Sequence, residues 1–401
     1  MIKQLFLNWE ESVPRLLLRG VTNDQLLEIK DKWERKNSLI QEINQLRSQR
    51  RKLAREGKET ASLVTPLNEE LAVQEEELAI LEKDLKDLTD QLPNLPDSKV
   101  PLEKDKVIDE TKYEHQIKKR RFTHDQIAQK IGIVNEKFGT KLSGSKFVVY
   151  QGLGSQLIHA LINFMLAEQQ KRGYQVFVVP YLVDSQNLYH TGQLPKFQED
   201  LYKIESSKFY LIPTAEVPLT NLYQDEILAK EKLPLKLCAY SPCFRAEAGA
   251  AGQENKGLIR LHQFHKVELV RVVMPKSSNQ HLKEIVEDAR HILHLLKIPH
   301  RVIELSIKEL GFSASRQYDI EVWLPVSKRW LEISSCSNCQ DFQTQRAKIR
   351  VKNVSGQNYN PHSLNGSGLA VDRLIIALLE YYYNEKENKL VLPEILQKYF
   401  F

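Results

Sequence analysis

SPCFRAEAGAAGQENKGLIRLHQFHKVELV, Ser241–Val270, joins two stretches that alternate like strands through a glycine-rich middle. That pattern reads as a hairpin whose loop can bring its backbone close to a ligand. Arg245 and Glu247 close the first flank, and Phe264 and Glu268 lie on the second. A guanidinium for phosphate oxygens and an aromatic ring for a base suit a nucleotide triphosphate. An ordinary hairpin with surface charges has the same outline, so other segments must decide.

The chain has 401 residues, more than one small core usually holds, so two domains are expected. A net charge of +5 says little alone, because a nucleic-acid partner responds to local charge. Four cysteines are too few for a disulfide framework and suit a reducing setting. The opening MIKQLFLNWE lacks the extended apolar core and cleavage site of a signal peptide. No apolar run approaches the roughly 20 residues that cross a bilayer. A soluble, cytoplasmic protein with no membrane partner is expected.

From about Asn23 to Leu92 the composition is charged and almost free of glycine. Leucines recur at Leu67, Leu71, Leu78, Leu81, Leu85, Leu88 and Leu92, in gaps of four and three interrupted only at Gln74. This is a heptad seam. Leu39, Ile43, Leu46 and Leu53 offer a matching seam, and the Gly57–Pro66 interval supplies a turn, which predicts an antiparallel two-helix coiled-coil arm. Arg47, Arg50, Arg51, Lys52, Arg55 and Lys58 crowd its tip. Clustered Arg and Lys gain affinity for a polyanion by releasing counterions, although a solvated helix face has the same composition. LPNLP at 92–96 stops the arm, since proline can continue neither helix. The run Lys118-Lys119-Arg120-Arg121 reads as solvated linker.

Beyond about Gly139 short β-branched and aromatic runs alternate with turn signals. An amphipathic helix is expected from Ser155 to Lys171, then an edge strand Tyr174 to Val179 ending at Pro180. Further strands are expected near Phe209–Ile212, Lys236–Tyr240, Gly257–Phe264, Lys266–Arg271, Val302–Leu305, Asp319–Leu324 and Arg329–Ser334, with helices over Asn279–Leu296 and Leu374–Glu380. Many consecutive strands with few crossover helices predict a mostly antiparallel sheet and an α+β class. The expected domains are a helical arm over 1–100, a linker with a connecting helix over 101–138, and the sheet domain over 139–401. The small residues of Leu364–Val371 predict close backbone approach before a helix start, where Arg373 would meet an anion.

Together these segments resemble the seryl-tRNA synthetase family of class II aminoacyl-tRNA synthetases, over nearly the whole chain. The matching strings are TGQLPKF at Thr191–Phe197, PTAEVPLTN at Pro213–Asn221, CFRAEAG at Cys243–Gly249, RLHQFHKVEL at Arg260–Leu269, EISSCSNCQDFQ at Glu332–Gln343 and LNGSGLAV at Leu364–Val371.

The resemblance implies an enzyme that activates L-serine with ATP to seryl-adenylate and transfers it to tRNA(Ser), and to tRNA(Sec). It implies Arg245 and Arg373 as catalytic cations. ATP would be bound by Arg245, Ala246, Glu247, Leu261, His262, Gln263, Phe264, Glu332, Ile333, Ser334, Ser335 and Arg373, with Mg²⁺ at Glu332 and Ser335. Serine would meet Thr214, Ala215, Glu216, Glu268 and Ser367. Arg47, Arg50, Arg51 and Arg55 would contact tRNA by shape and backbone. DNA is not an expected partner. The Ser155–Pro180 segment resembles the family's dimer-forming motif, which implies a homodimer.

Two positions depart from the family: Asp372 stands where glycine is common, and Gln345 replaces one of two adjacent arginines. Cys336 and Cys339, with Cys238 and Cys243, read as buried thiols rather than a zinc site. His262 and His265 read as structural histidines, since a carboxylate nucleophile needs no general base. A tRNA-binding protein with a decayed ATP domain would be expected to lack one of Arg245, Glu268, Glu332 or Arg373. An enzyme charging a carrier protein would be expected to lack the arm.

Overall fold

The computed structural model describes residues 2–56, 61–113, 121–248, 257–352 and 356–401. Lys58, the 118–120 part of the basic run and the glycine-rich 249–256 lie outside the described residues. The chain forms two compact units, Met1–Leu95 and Pro96–Phe401.

In the first unit two long helices, α1 (Asn23–Glu56) and α2 (Ala61–Asp90), run antiparallel. Leu39, Ile43 and Leu71 are buried between them, joined by Leu46 and Leu78. At the base Leu16, Leu26, Ile29, Leu85 and Leu92 form a second cluster, beside which Phe6 stacks on both Trp9 and Trp33. Cross-helix ion pairs join Lys32 to Asp84, Arg35 to Glu77, Lys36 to Glu82 and Arg47 to Glu75. These pairs are partly or well exposed and contribute at most about 1 kcal/mol each, so the apolar seam holds the arm and the charges fix its register. Gln74 Oε1 is buried with no hydrogen-bond partner among the described residues, the local cost of a polar residue in the seam. Pro66, expected in the turn, lies inside α2, where it forfeits one intrahelical bond near the helix start.

The second unit is built on an eight-stranded sheet. In chain order its strands are β1 (Lys106–Thr111), β2 (Gln175–Phe177), β3 (Leu235–Phe244), β4 (Gln263–Val273), β5 (His300–Glu304), β6 (Arg316–Leu324), β7 (Arg329–Gln340) and β8 (His362–Ala370). Their spatial order is β1-β5-β6-β7-β8-β4-β3-β2. Every neighbouring pair is antiparallel except β2 with β3. Helices α3 (Leu153–Lys171), α5 (Ser278–Leu295) and α7 (Val371–Tyr382) contribute to one large core that includes Val267 and Leu269 of β4. The short helix α4 (Glu216–Asn221) lies against the other face, with Leu219 beside Val270, and α6 (Phe342–Arg346) follows β7.

Three expectations are corrected. The stretch read as linker contains β1, paired with β5, besides the connecting helix, His124–Lys130, that buries Ile127 and Ala128. β1 stays almost wholly exposed, so it carries no burial alternation for a sequence pattern to detect. Gly257–Leu261 is turn and bend, and β4 starts only at Gln263. Leu364–Ala370, not among the expected strands, is interior strand. Its glycines serve packing: a Cβ on Gly366 would come within 2.4 Å of Ile285 Cγ2 and 2.9 Å of Cys336 Sγ. Gly366→Val should therefore lower the unfolding free energy of this unit by about 1–3 kcal/mol or more, read from its denaturant midpoint.

Candidate functional site

A cleft of about 620 Å³ opens on the sheet face opposite the core of α3, α5 and α7. Both Arg245, just past the end of β3, and Arg373, in the first turn of α7, line it. Side chains on one strand face recur every second residue, roughly 7 Å apart. Phe264, Lys266 and Glu268 of β4 accordingly enter the cleft as a row running from aromatic through cation to acid.

At the aromatic end the Arg245 guanidinium lies 5.2 Å from the Phe264 ring centroid, and its Nε donates to Pro213 O at 3.4 Å. Glu247 has a left-handed backbone (φ 52°) and accepts from Arg260 Nη1 at 2.5 Å. Arg373 Nη1 donates to Glu332 O at 2.8 Å and pairs with its carboxylate at 3.3 Å.

At the acidic end Thr214 Oγ1 donates to Glu268 Oε2 at 2.9 Å and accepts from Glu216 N at 3.1 Å, so one hydroxyl bridges the two acidic residues. Lys266 pairs with Glu268. Glu216 Oε1 accepts from Gln343 Nε2 at 2.7 Å and Asn365 Nδ2 at 2.8 Å. Burial, then the charge of Glu268, pushes the Glu216 carboxyl up to about 7.

Of the expected residues the cleft collects Arg245, Glu247, Leu261, Phe264, Glu332, Ile333, Ser335 and Arg373, together with Thr214, Glu216, Glu268 and Ser367. Ala215, Ala246, His262, Gln263 and Ser334 are not among its lining residues. Ala215 is core, and Ser334 Oγ donates to Ser367 O at 2.6 Å beneath the floor. His262 bonds the Arg245 carbonyl and stacks on Phe147; His265 bonds and stacks on Tyr240.

Asp372, the added carboxylate, accepts from Tyr150 Oη at 2.5 Å and His265 N at 2.6 Å. It ties the start of α7 to β4, and burial pushes its carboxyl up. Gln345 bonds Asp341, while Arg346 stacks on Phe342 and Tyr189; neither lines the cleft. The four cysteines are free and buried, and burial raises their thiols, Cys336 to about 12.

The sequence reading missed Asp319, Lys266, Gln343 and Asn365. Asp319 on β6 pairs in register with Ser335 on β7 and enters the cleft. Burial and the neighbouring Glu332 push its carboxyl up to about 7. Alternation along Gln317, Asp319 and Glu321 was the available signal. Gln343 and Asn365 gave none, because their partner Glu216 is distant in sequence.

Strong and weak signals agree on the class: an antiparallel sheet carrying two arginines over one cleft is the core of a class II aminoacyl-tRNA synthetase. The family model of the tRNA synthetase class II core domain (G, H, P, S and T) matches residues 201–382. A serine–tRNA ligase of Mesoplasma florum is 50% identical over 284 residues, 71% of this chain and 67% of that one. Another, from Carboxydothermus hydrogenoformans, is 50% identical over 287 residues, 70% and 68% of the two chains. The seryl-tRNA synthetase from Pyrococcus horikoshii, solved in complex with ATP, has a TM-score of 0.93 at 30% identity, covering 100% of this chain and 97% of that one. The chain belongs to the seryl-tRNA synthetase family, enzymes that join serine to tRNA.

Because Glu216 is held above the ordinary 4.5, the folded state loses stability as pH rises from there through about 7. Glu216→Gln keeps an acceptor for Gln343 and Asn365 and removes that loss. It should raise Tm of the ligand-free protein by about 2–4 °C at alkaline pH, the size expected of roughly 1 kcal/mol, and by nothing in acid; scanning calorimetry across pH checks this.

Proposed function

We propose that this chain activates L-serine with ATP and then charges tRNA(Ser). The observation that carries this reading is the convergence of Arg245 and Arg373 on one cleft beside the Thr214–Glu216–Glu268 cluster. The serine carboxylate oxygen attacks the α-phosphorus of ATP, the bond to the bridging oxygen breaks, and pyrophosphate leaves. The terminal ribose hydroxyl of tRNA then attacks the seryl carbonyl and releases AMP. The nucleophile is already an anion, so the protein's work is alignment and neutralisation of charge building on phosphate.

Arg245 holds the α-phosphate, Phe264 stacks on adenine, and Arg373 covers the other face of the base while reaching phosphate, a double task that suits a planar guanidinium. Glu247 orders the adenine end. Glu332, Ser335 and Asp319 offer hard oxygen donors on adjacent strands, and two carboxylates crowded enough to push Asp319 up fit a divalent cation. Mg²⁺ bound there would share phosphate oxygens and neutralise their charge. Glu216 and Glu268 receive the ammonium and hydroxyl of serine, with Thr214 and Ser367 beside them. A site satisfied by that hydroxyl penalises alanine strongly.

The arm binds tRNA through Arg50, Arg51 and Arg55, which are exposed, and through Arg47, whose partner Glu75 must first be displaced. The chain acts as a homodimer through α3 and β2, next to which Val178 is 95% exposed and Tyr181 and Leu182 also face solvent. tRNA(Sec) is a second substrate, and buried free thiols suit the cytoplasm. No described helix is long and apolar enough to cross a membrane.

ATP–pyrophosphate exchange without tRNA, run with serine, threonine, alanine and glycine, tests the activation step; exchange with all four alike would overturn it. Arg245→Ala should lower exchange by roughly 10²-fold or more while circular dichroism stays unchanged. Reversing charge at Arg50 and Arg51 should spare exchange and weaken tRNA charging, with a smaller salt dependence of tRNA binding. Undiminished tRNA affinity would remove the arm from the mechanism.

A further inference from the structure

Gln343 is wholly buried at the start of α6, and its amide is fully used. Nε2 donates to Thr191 O at 3.3 Å, a carbonyl that can only accept, which fixes the flip, and to Glu216 Oε1 at 2.7 Å; the amide Oε1 then accepts from Ser363 Oγ at 2.8 Å. Asn365 Nδ2 approaches the same Glu216 oxygen at 2.8 Å. Oε1 thus carries two N–H donors, whereas Oε2 has no hydrogen bond among the described residues. The carboxylate is held by one oxygen and offers the other to the cleft.

We propose that Gln343 is a positioning residue for the amino-acid subsite: it pins one oxygen of Glu216 so that the other is aimed at the substrate ammonium. This rests on the reading of Glu216 as a serine contact. A buried amide is the right tool because it donates without adding charge beside Glu216, where Glu268 and Lys266 of β4, Arg245 beyond β3 and the Cys339 thiol of β7 already face it. A lysine there would compete with the ammonium, and a carboxylate would repel Glu216. The same amide bonds Thr191 O, so Glu216 and the TGQLPKF segment are held in one register.

The test is serine-dependent ATP–pyrophosphate exchange by the full-length chain, from weakly acidic to alkaline pH, with wild type, Gln343→Met, Glu216→Gln and the double variant. Gln343→Met should raise KM for serine about tenfold, the loss expected of one charge-assisted hydrogen bond, and leave KM for ATP within about twofold. An N–H donor favours the ionised form of Glu216, so its loss should move the acid limb of kcat/KM for serine to higher pH. In the Glu216→Gln background Gln343→Met should add little. Equal rises in both KM values, or an unmoved acid limb, would overturn the positioning role and leave Gln343 as packing. If Glu216→Gln itself leaves KM for serine unchanged, the underlying assignment of Glu216 fails instead. Should Gln343→Met not fold, Ser363→Ala, which strips the buried amide Oε1 of its donor and loosens the amide, should raise KM for serine in the same direction; no rise would refute the proposal.

Discussion

Buried charge is tolerated only when it is paired, and the cleft is organised around that constraint. Lys266 sits on Glu268, Arg373 on Glu332 and Arg260 on Glu247, so groups assigned here to ligands neutralise one another while the cleft is empty. Among the described residues Glu216 at one end and Asp319 at the other have no such ion pair, and both are pushed up to about 7. On the reading proposed above these are the two places where substrate brings positive charge, the serine ammonium and the magnesium that accompanies ATP.

Antiparallel pairing supplies the spacing that this arrangement needs. Glu268 of β4 faces Ser367 of β8, and Asp319 of β6 faces Ser335 of β7, so the amino-acid and metal subsites proposed above rest on two ladders of one sheet with the β7–β8 ladder between them. Past a bulge between Ser367 and Leu369 the ladder runs on to Ala370, and α7 begins at the next residue, with Arg373 bonded back to Glu332. Asp372 then fastens that helix start to the backbone of His265. The Asp372 carboxylate is therefore spent on structure, held by Tyr150 and an amide.

The arm obeys different physics. Its core is a thin apolar seam, its cross-helix ion pairs are partly exposed, and its tip carries arginines, most of which make no strong pair. A polyanion can be met there without first paying for the rupture of a buried network, whereas the cleft rearranges paired charges whenever it binds.

Periodicity fixed the two long helices, because heptad leucines are a local consequence of which side chains must leave water, and the run of consecutive strands with few crossover helices fixed the mostly antiparallel character of the sheet. The ordered strings from Thr191 to Val371 also revealed most of the cleft, since Arg245, Phe264, Glu268, Glu332 and Arg373 each sit in a recognisable segment. β1 escaped because an exposed edge strand has no burial pattern, and the strand Leu364–Ala370 was missed because its small residues lack the β-branched and aromatic signature of the other strands. Only the tertiary structure joined Glu216 to Gln343 and Asn365, Asp319 to Glu332, and Asp372 to Tyr150. Those partners are separated by up to 222 residues in the last case, and whether a buried acid is paired depends on what folding brings across the cleft, which no single stretch of sequence contains.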